Sequence, residues 1–170
     1  RVLANKTFIK TPVLEPQAGN GNIVDVLTDR FSDADNYVLT DDVYCIEIDP
    51  ELRAILFSKG YSVIGSDFLT YSEPVKFSTI ISNPPFQYAH KHFLKAWELL
   101  DDGGVLVCLV NTEMLRNPSS TDKQNVVHLI DSMGGVVKDL GSVFAQSENP
   151  TNVEVSMVTI WKPEKTNKNI

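Results

Sequence analysis

The stretch TIISNPPFQYAH, Thr79 to His90, decides how the rest of the chain is read. Thr79, Ile80 and Ile81 favour a pleated, buried strand. The run stops at Asn83-Pro84-Pro85-Phe86. Proline lacks the N–H that a central ladder needs and fixes φ, so two prolines end the strand and stiffen the turn after it. A carboxamide, a proline carbonyl and an aromatic ring are thereby held on a rigid turn at a strand's carboxyl end. The alternative is a plain strand-ending turn with a buried Phe, and the surrounding sequence must choose.

Outward from that strand the chain alternates. Strands are expected at Val13–Leu14, Val43–Ile48, Ser62–Ser66, Thr79–Ser82, Val105–Val110, Val136–Leu140 and Val153–Trp161. Helices are expected at Asn22–Phe31, Pro50–Lys59, Ala89–Leu100 and Asp122–Met133. Such alternation implies βαβ units and a parallel, doubly wound α/β sheet covered on both faces. Several strands are nearly all apolar, as fully buried strands are. The second helix is the best punctuated: Asp49 caps it, Pro50 suits its first position, Glu51 favours its positive end and Gly60 follows its last turn. No helix separates the last two strands, and their connection, Gly141–Asn152, is polar and contains Pro150. They are expected to form an antiparallel hairpin at the sheet edge. The Lys- and Asn-rich tail, Pro163–Ile170, is expected to fray.

With 170 residues, 42% hydrophobic and 22% charged, the chain is long enough to bury one full core. One domain over residues 1–170 is expected, with no repeat and no separate target-recognition domain. The first residue is Arg1, which leaves room for a truncated N-terminus. No apolar run approaches the roughly 20 residues that span a bilayer, and no signal-peptide pattern opens the chain. A cytoplasmic protein without membrane contact is the expectation. Cys45 and Cys108 lie inside VYCIEI and VLVCLV and are expected to be reduced core residues. The net charge of −7 argues against a broad basic nucleic-acid surface and leaves a local basic rim open.

In VLEPQAGNGNIVDVL, Gly19 and Gly21 stand between a strand and a helix. Glycine permits positive φ and close ligand approach, and a helix start offers free N–H groups. Val24 takes the place of the third glycine of a dinucleotide fingerprint. A tight turn without a pyrophosphate cradle suits a nucleoside better than NAD; a merely structural turn stays open. The second strand ends CIEIDP, and Glu47 there can accept both ribose hydroxyl hydrogen bonds, or else is a solvated strand-end acid. The third ends VIGSDFL, where Asp67 can accept from an adenine amino group and the Phe68 ring can stack on the base.

The ordered set Glu15-Pro16-x-x-Gly19-x-Gly21, then Glu47-Ile48, then Asp67-Phe68, then Asn83-Pro84-Pro85-Phe86 resembles the motif series of class I S-adenosylmethionine-dependent methyltransferases, in their amino-methylating branch. The resemblance covers roughly Val13 to Trp161. It implies a Rossmann-like seven-stranded sheet with its last strand antiparallel. It also implies S-adenosyl-L-methionine as cofactor, held by Glu15, Pro16, Gly19, Gly21, Glu47, Ile48, Asp67 and Phe68. In that branch Asn83 and Pro84 would be catalytic, accepting hydrogen bonds from a delocalised amino nitrogen. Phe86 would stack on the target, with Phe144 as a second aromatic contact or an ordinary loop anchor.

The expected substrate is N6 of adenine in DNA, flipped out of any duplex. A protein glutamine, an RNA adenine or a non-catalytic cofactor-binding role are the alternatives. Because phosphate contacts dominate nucleic-acid affinity, so acidic a chain should bind DNA weakly alone, and a separate recognition subunit or domain is expected.

Other residues carry less. His90 and His92 flank Lys91 and point apart on a helix, with His128 distant in sequence, so no metal site is expected. Lys91, Lys95 and Arg116 are phosphate-contact candidates or a solvated face. Tyr88 is either a base contact or a loop anchor. Met114, Leu115, Trp97 and Trp161 read as packing.

Overall fold

A computed structural model describes residues 9–29, 38–143 and 152–166. Seven strands form one sheet: β1 Val13–Glu15, β2 Val43–Ile46, β3 Ser62–Gly65, β4 Phe77–Ser82, β5 Leu100–Asn111, β6 Val136–Gly141 and β7 Val155–Trp161. The helices are α1 Asn22–Thr28, α2 Pro50–Ser58, α3 Ala89–Leu99, α4 Thr112–Arg116 and α5 Thr121–Ser132. The strand order is β3-β2-β1-β4-β5-β7-β6, parallel except for β7, which runs antiparallel to both neighbours.

Side-chain alternation divides the core between two faces. Leu14, Ile46 and Ile80 pack with Phe93 and Leu99 of α3 and Val126 and Ile130 of α5. Their neighbours Val13, Cys45 and Ile81 pack with Val24 and Leu27 of α1 and Leu56 of α2. Successive strand residues thus serve opposite layers. Cys45 and Cys108 fall on opposite faces as buried free thiols, and burial pushes both up to about 12.

The chain builds outward from β1 to β3, returns to β4 beside β1, and continues to β5. The gap between the carboxyl ends of β1 and β4 is therefore the switch point at which open α/β sheets bind ligands.

Local chemistry explains most boundaries. Asp49 Oδ1 accepts from the N–H groups of Glu51 and Leu52 and caps α2. Asn111 Oδ1 accepts from Glu113 N–H and starts α4, which is not among the expected helices. Met114 on it is buried in the core, as expected of a packing residue. The fifth strand begins at Leu100, not Val105, because Leu100 pairs with Phe77 of β4, ahead of a register shift before Thr79 meets Val105. Within that irregular stretch Gly103 has a left-handed φ of 74°, and its N–H donates to the Lys162 carbonyl while Lys162 N–H donates to that of Gly104. Helix α1 stops at Thr28, short of the expected Phe31.

Candidate active site

A cavity of about 620 Å³ opens at the carboxyl edge of β1, β2, β3 and β4. Each strand contributes the residues that follow it. Pro16 and Gln17 come after β1, Glu47 and Ile48 after β2, Ser66 to Leu69 after β3, and Asn83 to Phe86 after β4. Tyr88 and His92 complete the wall from the start of α3.

Glu47 is almost fully buried, and both its oxygens serve the backbone. Oε2 accepts from Gly19 N–H at 2.6 Å and Oε1 from Asp49 N–H at 2.9 Å. Arg53 donates to the carbonyls of Glu47 at 2.8 Å and Ile48 at 2.7 Å, so the loop that exposes Ile48 on the rim is fixed from behind. Asp67 is half-buried, and its Oδ1 accepts from Leu69 N–H at 2.9 Å. Phe68 is only 2% exposed, and its ring stacks on His92 with centroids 5.7 Å apart.

After Ser82 the chain cannot pair further. Pro85 is extended, its carbonyl accepts from Tyr88 N–H, and a short 3-10 turn over Phe86–Tyr88 leads into α3. Asn83 is exposed and Pro84 buried, both on the cavity wall. A rigid turn at the switch point is what the Asn-Pro-Pro-Phe stretch led one to expect.

Three expected cofactor residues are not on the wall. Glu15 is buried beneath it, where Val24 N–H donates to its carboxylate. A side chain from β1 thus serves the start of α1, since the residue at that helix's cap position, Gly21, has no side chain to do so. Burial, then the charges of Glu47 and Asp25, raise the Glu15 carboxyl well above the usual range, opposed by the Val24 bond. Gly19 and Gly21 have φ of 56° and 89° and form the turn. A Cβ on Gly21 would sit 2.8 Å from Tyr61 Cε2, so this glycine answers to packing within the layer of α1 and α2. A Cβ on Gly19 would meet nothing within 4 Å. Phe144 lies outside the described residues.

Gln17 and His92 are wall residues for which the sequence reading expected no part in the site. Gln17 Nε2 donates to His92 Nδ1 at 2.8 Å, and Ser82 Oγ donates to Gln17 Oε1 at 2.7 Å. These partners are 75 and 65 residues apart in sequence, beyond any local pattern. The expected opposition of His90 and His92 was the available signal, since only one of the two could face inward. Arg116, a phosphate candidate, instead pairs with Glu154 at 2.7 Å and Asp139 at 3.5 Å and ties α4 to the antiparallel edge. Lys91 lies 6.0 Å from the Tyr88 ring centroid. Among the described residues no His, Cys, Asp and Glu cluster could hold a metal ion, and no helix is long and apolar enough to cross a membrane.

No family model and no curated protein matches the sequence. Solved structures match the fold. A candidate class I S-adenosylmethionine-dependent methyltransferase of Listeria monocytogenes superposes with a TM-score of 0.69 at 14% identity, over 98% of this chain and 59% of that one. The type I restriction enzyme EcoKI M protein gives 0.67 at 15% identity, over 90% and 40%. The N-methyltransferase NodS from Bradyrhizobium japonicum, in complex with S-adenosyl-L-homocysteine, gives 0.60 at 14% identity, over 95% and 83%. The chain thus spans about three-fifths of the Listeria protein and two-fifths of the EcoKI subunit. Its mostly parallel seven-stranded sheet with the β5-β7-β6 edge is the class I methyltransferase fold.

Proposed function

We propose that this chain is an S-adenosylmethionine-dependent methyltransferase acting on an exocyclic amino nitrogen, N6 of adenine in DNA. One observation carries the reading: Asn83 and Pro84 share a cavity at the switch point with the carboxylates of Glu47 and Asp67. One wall is suited to an amino group and another to a cationic nucleoside.

The cavity fits such a nucleoside. Its volume of about 620 Å³ lies within the range of small-molecule sites. Each Glu47 oxygen keeps a second lone pair beyond its bond to Gly19 or Asp49, so ribose hydroxyls have acceptors already oriented. Asp67 keeps an oxygen for a base amino group, and Ile48, 70% exposed on the rim, offers an apolar face to the ring. Bound there, the cofactor supplies an electrophilic methyl group on a sulfonium. The NodS complex with S-adenosyl-L-homocysteine supports this choice of ligand.

The chain's own residues then work on the amine. An adenine amino nitrogen is a poor nucleophile because its lone pair is delocalised into the ring. The Asn83 side-chain oxygen and the Pro84 carbonyl accept its two N–H bonds and draw it toward tetrahedral geometry. The prolines hold both acceptors before the substrate arrives, so no reorganisation is needed at the moment of reaction. Phe86, on the same wall, packs against the target ring.

The fold likeness to a restriction enzyme's M protein favours DNA. With a net charge of −7 the chain needs a separate recognition subunit or domain to hold a duplex. That acidity also favours a second reading, the same chemistry on a protein glutamine. Calorimetry with S-adenosylmethionine, followed by transfer of labelled methyl to DNA, RNA and protein pools, tests both. Label in DNA adenine is expected; label in protein alone selects the second reading, and no heat of binding removes both.

A further inference from the structure

Gln17 joins three walls of the cavity through one carboxamide. Its Oε1 accepts from Ser82, the residue directly before Asn83, and its Nε2 donates to His92 on α3. Ser82 is fully buried and His92 is 8% exposed. Through the ring stacked on His92, the same link reaches Phe68 in the loop after β3. An amide bonded at both ends among buried partners is costly to leave unmade, so it fixes orientation more strongly than an apolar side chain of its size.

The bond also sets a protonation state. With the Gln17 carboxamide turned so that Nε2 faces the ring, Nδ1 of His92 accepts and the neutral ring carries its proton on Nε2. Burial, with His90 adding to it, holds the imidazole below its usual range, and Asp67 opposes them.

We propose that Gln17 is a positioning residue for methyl transfer to the amino nitrogen, setting Asn83 and Pro84 in register with the loop after β1 and holding His92 as the neutral Nε2–H imidazole on the cavity wall. This rests on the reading that Asn83 and Pro84 accept from the target nitrogen. Two acceptors polarise an amine only when both N–H directions are met together. Ser82 is the last paired residue before them, so a shift at its hydroxyl is passed straight to the acceptors.

Gln17→Leu and Gln17→Glu test it in the full chain. Leucine removes both bonds; glutamate keeps the acceptor for Ser82 and loses the donor to His92. Gln17→Leu should lower the rate of a single turnover about 100-fold while the Kd for S-adenosylmethionine changes less than about threefold. Its His92 15N signals should move from the Nε2–H tautomer to a mixture. Gln17→Glu should recover most of the rate and draw a proton onto Nδ1. Wild-type His92 protonated on Nδ1, signals unmoved in both variants, or rate and affinity lost in parallel would each overturn the assignment. The NMR readout needs no turnover. A chain that transfers no methyl therefore sinks the functional reading alone, while the His92 tautomer still decides where Gln17 acts.

Discussion

Gly19 donates its backbone N–H to the Glu47 carboxylate at 2.6 Å, which makes the turn after β1 and the acid after β2 a single support. Glu47 is thus both a wall of the cavity and the clamp that holds its floor. Glu47→Gln keeps the shape but turns one accepting oxygen into an NH₂ facing the N–H of Gly19 or Asp49. The variant should lose about 1–3 kcal/mol of stability. Cofactor affinity should fall with it, as read by denaturant unfolding and calorimetry.

Asn83→Ala separates chemistry from binding. Asn83 supplies an acceptor and has no part in the Gly19–Glu47 clamp. Methyl transfer should drop by about 100- to 1,000-fold, the scale for losing one preorganised polar group at a reacting centre. The Kd for the cofactor should stay nearly unchanged. Joint loss of binding and turnover would make the turn structural.

The two turn glycines should respond differently to alanine. Gly19→Ala meets open space and carries only the left-handed backbone penalty, about 1–2 kcal/mol. Gly21→Ala carries that and also drives a methyl against Tyr61 and Leu56, for a further cost of about 1–3 kcal/mol. Equal melting temperatures for the two would refute the packing account of Gly21.

Glu15 should make stability depend on pH in the sense opposite to a salt-bridged acid. Oε2 has no partner among the described residues, and burial raises the carboxyl above its usual range. Folding therefore favours the protonated form. The group's contribution is fully present below the unfolded value of about pH 4 and is lost as pH rises toward the folded value. Glu15→Gln keeps an acceptor for Val24 N–H and removes that loss. Its melting temperature should exceed wild type at neutral pH and converge with it in acid.

What could be read from the sequence was whatever short-range chemistry writes. Asp49, Pro50 and Gly60 bracket α2 because capping acts within a few residues. The polar, helix-free connection after Gly141 announced the antiparallel edge, and the prolines after Ser82 announced the turn at β4. The start of β5 was hidden because Gly103 and Gly104 interrupt the apolar run, and Leu100 is strand only through its distant partner Phe77. Helix α4 was hidden by its length, five residues on one Asn cap. At the site, residues ending strands could be placed on the rim by topology alone. That reasoning also placed Glu15, Gly19 and Gly21 there, because sequence order does not tell a wall from its foundation. Gln17 gave no local sign, since its partners Ser82 and His92 lie 65 and 75 residues away.

The antiparallel β7 is synthesised after β6, yet it lies between β5 and β6 and pairs with both. A ribosome therefore releases β6 well before its permanent neighbour exists, and sheet closure has to wait for translation to reach Trp161. Growing chains arrested ahead of Val155 should leave the backbone of Val136–Gly141 without a ladder partner, the sort of open strand that chaperones hold.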